Sequence, residues 1–310
     1  MQPVISITNF SKSFGKTKAV KDLSLDVEKG ELFGLIGPDG AGKTTTIRAL
    51  VTLILPDSGE LSVNGLKVTE SVREIRSITG YMPQRFSLYP DLSVSQNLNF
   101  FANLFEVPKK EIPERRKRLF RFSNLEPFSN RLAGQLSGGM KQKLALSCTL
   151  IHNPIVLILD EPTTGVDPVS RSEFWEILQE LKKEGVTILV STPYMDEALL
   201  CDRIAIMHEG SILAMGKPEQ ITGMMRNNIY KITGQNLMLK SSRIGRIPGI
   251  ISVQSFGDSL HLAFPPEFSD EDVQSKIYDI LGEQLNIELI APSLEDVFIG
   301  LIEGKIGHAN

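Results

Sequence analysis

The eight residues Gly37-Pro38-Asp39-Gly40-Ala41-Gly42-Lys43-Thr44 constrain this chain more than any other stretch. They fit the spacing G-x-x-x-x-G-K-[S/T]. Glycines at such positions let backbone N–H groups curl around an anion where a β-carbon would obstruct them. Glu31–Gly37 ahead of the loop reads as a buried strand, and Lys43 to Leu53 behind it as a helix. The positive end of that helix faces the same anion. The loop therefore reads as a cradle for the phosphates of a nucleotide, with Lys43 on the β- and γ-phosphates and the Thr44 hydroxyl on Mg2+. Gly37, Pro38, Asp39, Gly40, Ala41, Gly42, Lys43, Thr44 and Thr45 form the predicted binding loop.

A second acidic element belongs with it. Val156–Leu159 is wholly apolar, as a strand inside a parallel sheet is, and it ends in Asp160 and Glu161. Beside the loop, Asp160 can orient Mg2+ through its waters, and Glu161 is placed to polarise an attacking water. Thr187–Ser191 reads as another buried strand, with a helix at about 170–183 between the two. Strands alternating with helices imply an α/β fold.

The 310 residues accommodate one large domain with an appendage, or two modest domains. A net charge of −4 argues against nucleic acid as the main partner. Two cysteines, Cys148 and Cys201, make no disulfide framework and read as packing residues in a reducing compartment. The first residues show no basic stretch followed by an apolar one, so no signal peptide is expected. Ile155–Leu159 is too short to span a bilayer, so a membrane function would need spanning helices from another chain.

Composition changes near Ile221. Residues 1–224 read as one domain, with a helical part at about 91–150, and 225–310 as a small α+β domain. In the latter, Ile229–Ile232, Ile250–Phe256, Ser259–Phe264 and Ile287–Ile290 are strand candidates, and Gly257-Asp258 is a hairpin turn. Ser269 and Asp272 form a capping-box pattern ahead of a helical face made by Val273, Ile277, Ile280 and Leu281.

Leu136-Ser137-Gly138-Gly139-Met140-Lys141-Gln142 narrows the field. It resembles the LSGGQ signature of ABC ATPases, with methionine in the fifth position. Gln84 in Tyr81-Met82-Pro83-Gln84 looks like the Q-loop, and Thr164-Gly165-Val166-Asp167 looks like the D-loop. Phe14 stands where the family places the ring that stacks on adenine. The resemblance covers about residues 4–220. It implies a P-loop NTPase core of the ABC type: a parallel-sheet core, an N-terminal antiparallel β part and an inserted helical subdomain, here followed by the small α+β domain. It also implies ATP and Mg2+ as ligands, with Glu161, Lys43 and Gln84 catalytic and Thr44, Gln84 and Asp160 on the metal. Two such domains pack head to tail in this family. The signature residues Ser137, Gly138 and Gly139 of one then cover the nucleotide of the other, in a homodimer or heterodimer, and Asp167 is implied as a further nucleotide-binding residue.

Within the family the chain is most similar to exporters of the ABC-2 class, including multidrug and daunorubicin-resistance-like subunits. Pro38-Asp39-Gly40, Arg131–Leu136, Tyr194-Met195-Asp196-Glu197-Ala198 and Pro292–Phe298 carry that likeness. It implies a separate membrane permease, a place on the cytoplasmic face of the membrane, and no nucleic acid. Two rival readings are a soluble ABC ATPase acting on nucleic acid or translation, and a nucleotide switch that hydrolyses slowly or not at all. The second is motivated by Pro193, which takes the place of the family's switch histidine. Proline offers neither a side-chain donor nor an N–H. Loss of one positioned donor costs about 10²–10³ in rate, so slow hydrolysis is expected. Thr192 and Tyr194 are candidates for a partial substitute. His152, His208, His261 and His308 lie elsewhere in the sequence. Arg115–Arg118 with Arg121 reads as a solvated basic face, with attraction to anionic lipid headgroups or to an acidic permease loop as the sharper alternative. Phe86, Leu88 and Tyr89 are candidates for an apolar groove that receives a permease helix.

Overall fold

The computed structural model describes residues 2–85, 88–282 and 285–304. The chain divides between Lys217 and Pro218 into two compact units. In chain order the first holds β1 (Ile5–Phe14), β2 (Thr17–Val27), β3 (Leu32–Ile36), α1 (Lys43–Leu50), β4 (Ser58–Val63), β5 (Leu66–Lys67), α2 (Val72–Ile78) and β6 (Thr79–Met82). Then follow α3 (Val94–Leu104), α4 (Ile112–Ser123), α5 (Gly138–Leu150), β7 (Val156–Asp160), α6 (Pro168–Lys183), β8 (Thr187–Thr192), α7 (Met195–Ala198), β9 (Arg203–His208) and β10 (Ser211–Gly216).

Two sheets organise this unit. An antiparallel sheet runs β2-β1-β4-β5, and a second sheet runs β10-β9-β3-β8-β7-β6. The second is parallel except for the β9–β10 hairpin. β3, β7 and β8 are buried along their whole length, which is why they read as unbroken apolar runs. One apolar core joins the sheets: Phe10 and Leu23 from the first meet Phe33 and Ile158 from the second and Ile47 of α1. The ends of β3, β7 and β8 thus come together around the glycine loop, as ligand sites in open α/β sheets do. The helix after that loop stops at Leu50 rather than Leu53. Thr52 takes a φ of 61°, and the N–H groups of Leu53 and Ile54 turn back onto the Arg48 carbonyl.

The expected helical region contains α3, α4 and α5, with two short 3-10 turns between α4 and α5. Ser137 caps α5 by accepting a hydrogen bond from the Met140 N–H at 3.3 Å.

The second unit holds α8 (Pro218–Thr222), β11 (Asn228–Thr233), α9 (Leu237–Ile244), β12 (Ser252–Phe256), β13 (Ser259–Phe264), α10 (Asp270–Leu281), β14 (Asn286–Ile290) and α11 (Leu294–Ile302). Its antiparallel sheet runs β12-β13-β11-β14, and α9 and α10 share its core with Ile232, Leu260 and Phe264. Phe256 pairs with Ser259 across the Gly257-Asp258 hairpin, and Ser269 and Asp272 close the capping box. The unit begins seven residues ahead of the sequence estimate because α8 packs against α11. Among the described residues no helix is long and apolar enough to cross a membrane.

Candidate active site

The loop between β3 and α1 is held by its neighbours before anything binds to it. The Gly37 N–H donates to the Thr192 carbonyl at 3.4 Å. Gly42, which caps α1, has a φ of +105°, and a β-carbon there would lie 2.6 Å from the Ala19 carbonyl oxygen. Only glycine fits that approach of loop to β2. Lys43 is buried, and its ammonium donates to the carbonyls of Gly37 at 2.7 Å and Pro38 at 3.0 Å. The same ammonium forms an ion pair with Glu161 Oε1 at 3.0 Å. A cleft of about 640 Å³ opens above, lined by Asp39–Thr45, Gln84, Glu161, Glu209 and residues of β2 from Thr17 to Lys21.

β7 delivers the two carboxylates. Asp160 Oδ1 accepts hydrogen bonds from the Ser191 hydroxyl at 2.8 Å and the Thr44 hydroxyl at 3.0 Å. Burial raises its pKa above the ordinary carboxylate value, only partly offset by those two hydroxyls, and the charge of Glu161 adds to the rise. Glu161 turns the chain with a φ of +49°, a left-handed conformation uncommon outside glycine. Its N–H donates to both the carbonyl and the hydroxyl of Ser191, each at 3.1 Å. Gln84 Nε2 donates to Glu161 Oε2 at 2.9 Å. Lys43, Thr44, Gln84, Asp160 and Glu161 are therefore one connected group. Its oxygens suit a hard divalent cation: a hydroxyl already in contact with a buried carboxylate that lacks full charge compensation.

Other sequence candidates fall outside this group. Phe14 does not line the cleft. It is 53% exposed at the end of β1 with the Lys12 ammonium 5.8 Å from its ring, while its strand partner Thr17 does line it. Ser137 and Gly138 are exposed at the head of α5 and take no part in the chain's own cleft. Asp167 is exposed at the head of α6, where its side chain accepts from the Ser170 N–H at 3.0 Å. Sequence reading missed Ser191, Lys18, Lys21 and Glu209. Ser191 ends a strand that runs beside the acidic one, which is a usable signal. The other three reach the cleft through tertiary packing alone: the β9–β10 turn is stitched to β2 by the Lys21 N–H on the Gly210 carbonyl at 2.7 Å.

The expected substitutes for the switch side chain do not face the phosphate loop. Thr192 is fully buried and turns its hydroxyl to Glu197 in a short hydrogen bond, while its oxygen accepts from the Tyr194 N–H at 3.1 Å. The Tyr194 ring lies under the Arg171 guanidinium, 4.4 Å from the centroid. Neither residue lines the cleft.

A groove of about 330 Å³ runs between Gln84, Arg85 and Leu88 on one side and Gly138, Lys141 and Gln142 on the other. Tyr89 packs at a tilt against Phe100, ring centroids 4.4 Å apart, rather than lining it, and Phe86 lies outside the described residues, as does His308. On α4, Arg115 bonds Glu111 and the Ile151 carbonyl, and Arg118 pairs with Glu184. These two belong to the molecule's own packing rather than to a free basic face.

A lysine and a threonine on a glycine loop, set against carboxylates two strands away in a parallel sheet, are the working parts of a phosphate-loop nucleoside triphosphatase. Comparison with known proteins carries this further. The model of the ABC transporter family matches residues 20–164. The probable multidrug ABC transporter ATP-binding protein YbhF of Escherichia coli (strain K12) is 41% identical over 307 residues, 97% of this chain and 52% of that protein. The chain thus spans about half the length of that relative. The Nod factor export ATP-binding protein I of Sinorhizobium fredii is 38% identical over 299 residues, 96% of this chain and 85% of that protein. Among solved structures, the ATP-binding subunit of an ABC transporter aligns with a TM-score of 0.65 and 30% identity, over 71% of this chain and 92% of that one. A dimeric ATP-binding cassette in a post-hydrolysis state with ADP and Pi aligns with a TM-score of 0.62 and 26% identity, over 69% of this chain and 98% of that one. The chain belongs to the family of ABC transporter ATP-binding proteins.

Proposed function

We propose that this chain is the ATP-hydrolysing subunit of an ABC-2 type exporter, driving a separate permease from the cytoplasmic face of the membrane by head-to-tail closure of two cassettes. The observation that carries the proposal is the split between cradle and signature. Ser137 and Gly138 are exposed at the positive end of α5 and do not line the chain's own cleft. A helix N-terminus of that kind suits a γ-phosphate held by a second copy or a related chain. Closure on ATP and opening after hydrolysis then form a two-state element biased by one phosphate.

Within the cleft, incoming β- and γ-phosphates compete with Glu161 for the Lys43 ammonium. Released from that ion pair, Glu161 becomes a base for the attacking water, with Gln84 orienting its carboxylate. Thr44, Asp160 and Gln84 would hold Mg2+, which when bound offsets charge on the phosphate oxygens. The groove beside Gln84 suits a helix of the permease, and its mixed lining by Arg85, Leu88 and Lys141 suits an amphipathic one. The export reading draws on the relatives named for multidrug and Nod factor export. Residues 225–310 are assigned as an accessory domain.

ATP turnover by the purified chain, measured over a range of protein concentrations beside Glu161→Gln, tests the proposal. Turnover that rises more steeply than protein concentration and disappears in the variant supports it. Turnover strictly proportional to concentration contradicts shared sites, and ATP binding without turnover makes the chain a switch.

A further inference from the structure

Glu197 carries a carboxylate that takes no part in the cleft, yet it is 2% exposed. Its Oε1 accepts the Thr163 hydroxyl at 2.7 Å and pairs with Arg171 Nε at 3.2 Å. Its Oε2 accepts the Thr192 hydroxyl in a short bond. Arg171 continues to Asp196 Oδ2 at 2.8 Å and covers the Tyr194 ring. Burying a carboxylate costs several kcal/mol unless donors surround it, and an apolar side chain could fill the space without that cost. What the carboxylate joins is therefore informative.

It joins three segments: the loop after β7 through Thr163, the end of β8 through Thr192, and the first turns of α6 through Arg171. Glu161 sits between the first two. Its left-handed backbone is held on one side by Ser191, the neighbour of Thr192. On the other side it leads in two residues to Thr163, and the Thr164 hydroxyl reaches back to its carboxylate at 3.4 Å. A residue in such a conformation persists only where its surroundings over-determine it. The turn at Pro193 contributes no N–H of its own, so the Tyr194 N–H on the Thr192 oxygen is the local bond that shapes it.

We infer that Glu197 is a positioning residue for Glu161: it locks the ends of β7 and β8 together and so fixes where the Glu161 carboxylate stands. The inference rests on the ATPase reading above. Displacing a reacting group by about 1 Å is worth on the order of 10²-fold in rate.

The test compares wild type, Glu197→Ala, Glu197→Gln and Thr163→Val, with turnover expressed per bound nucleotide so that unfolded chains do not count. Leu178→Ala, a buried position elsewhere on α6, serves as the control for lost stability. Glu197→Ala is expected to lose about 10- to 100-fold in kcat with KM for ATP within about twofold. Glu197→Gln, which keeps the shape and one acceptor, recovers part of the rate. Glu197→Ala combined with Thr163→Val falls no further than Glu197→Ala alone, because both cut the same tie. Leu178→Ala loses melting temperature but keeps its rate per bound nucleotide. A Glu197→Ala chain that turns over at the wild-type rate per bound nucleotide overturns the positioning role and leaves the ATPase reading intact. A wild-type chain that binds ATP without turning it over, or a fully active Glu161→Gln chain, overturns both.

Discussion

Asp160 keeps its charge in a poor place for the fold alone. Its pKa is raised chiefly by burial, so its contribution to stability is present below the unfolded value of 3.8 and lost as pH rises through the folded value. Near neutral pH the ionised group opposes folding. Asp160→Asn should melt higher than wild type in the absence of nucleotide, by a margin that widens as pH rises from 3.8 through the folded value, while losing Mg2+-dependent ATP binding. Thermal melts with and without Mg-ATP check both halves. His152 behaves in the opposite sense. Burial above all, with the Arg115 charge, holds its pKa down at about 4, and only the Thr79 carbonyl at 3.3 Å works against them. Its stabilising contribution is present above pH 6.5 and is lost as pH falls towards 4, on the order of 3 kcal/mol in full. His152→Phe, which preserves a ring against Phe105, should flatten the acid side of a urea-unfolding series between pH 7 and 4.5. Residues of this kind separate what sequence can and cannot disclose. Lys43, Thr44, Asp160 and Glu161 were readable because their chemistry fixes their spacing along the chain. Glu197, Lys18 and Glu209 were not, because each matters through a neighbour more than a dozen residues away.

Two adjacent glycines at the head of α5 differ in their surroundings. A β-carbon on Gly138 would meet nothing within 4 Å, whereas one on Gly139 would lie 2.3 Å from the Ser170 hydroxyl oxygen on α6. Gly138→Ala should leave the melting temperature unchanged or slightly higher, as alanine favours helix, and yet reduce turnover by obstructing the exposed end of α5. Gly139→Ala should separate α5 from α6 and lower the melting temperature. Melting and turnover measured on the pair distinguish contact with a second chain from packing within this one. In the second unit, Ser269→Ala opens the capping box of α10 and should cost about 1 kcal/mol, read from denaturant unfolding. That box was visible in the sequence because a cap is a local event. The β-strands with apolar runs were visible for the same reason. α2, β6 and the β9–β10 hairpin escaped, since short elements carry too few residues to show a period.

For the whole molecule, the exposed signature residues Ser137 and Gly138 do not line the chain's own cleft, and the proposed function requires two chains for each complete site. Two inactive variants should then repair each other. Lys43→Ala retains a sound signature, and Gly138→Asp retains a sound cradle. Mixed one to one, they should recover about a quarter of wild-type turnover, since half the dimers are mixed and each mixed dimer has one complete site. Either variant alone should stay inactive, and a mixture that also stays inactive contradicts shared sites. The two-unit organisation was foreseeable from the change in composition near Ile221, but the boundary was not, because the packing of α8 against α11 leaves no trace in composition.

The buried pair of Lys43 and Glu161 works as an interlock. Under the proposed mechanism each group holds the other: the carboxylate that would meet the water is paired with the ammonium that would meet phosphate. Whatever draws Lys43 away must bring its own negative charge. An uncharged nucleoside, however well its base fitted, would leave the lock shut, and water in the cleft would meet a carboxylate already engaged. Under that mechanism the charge of an arriving phosphate is what frees the carboxylate.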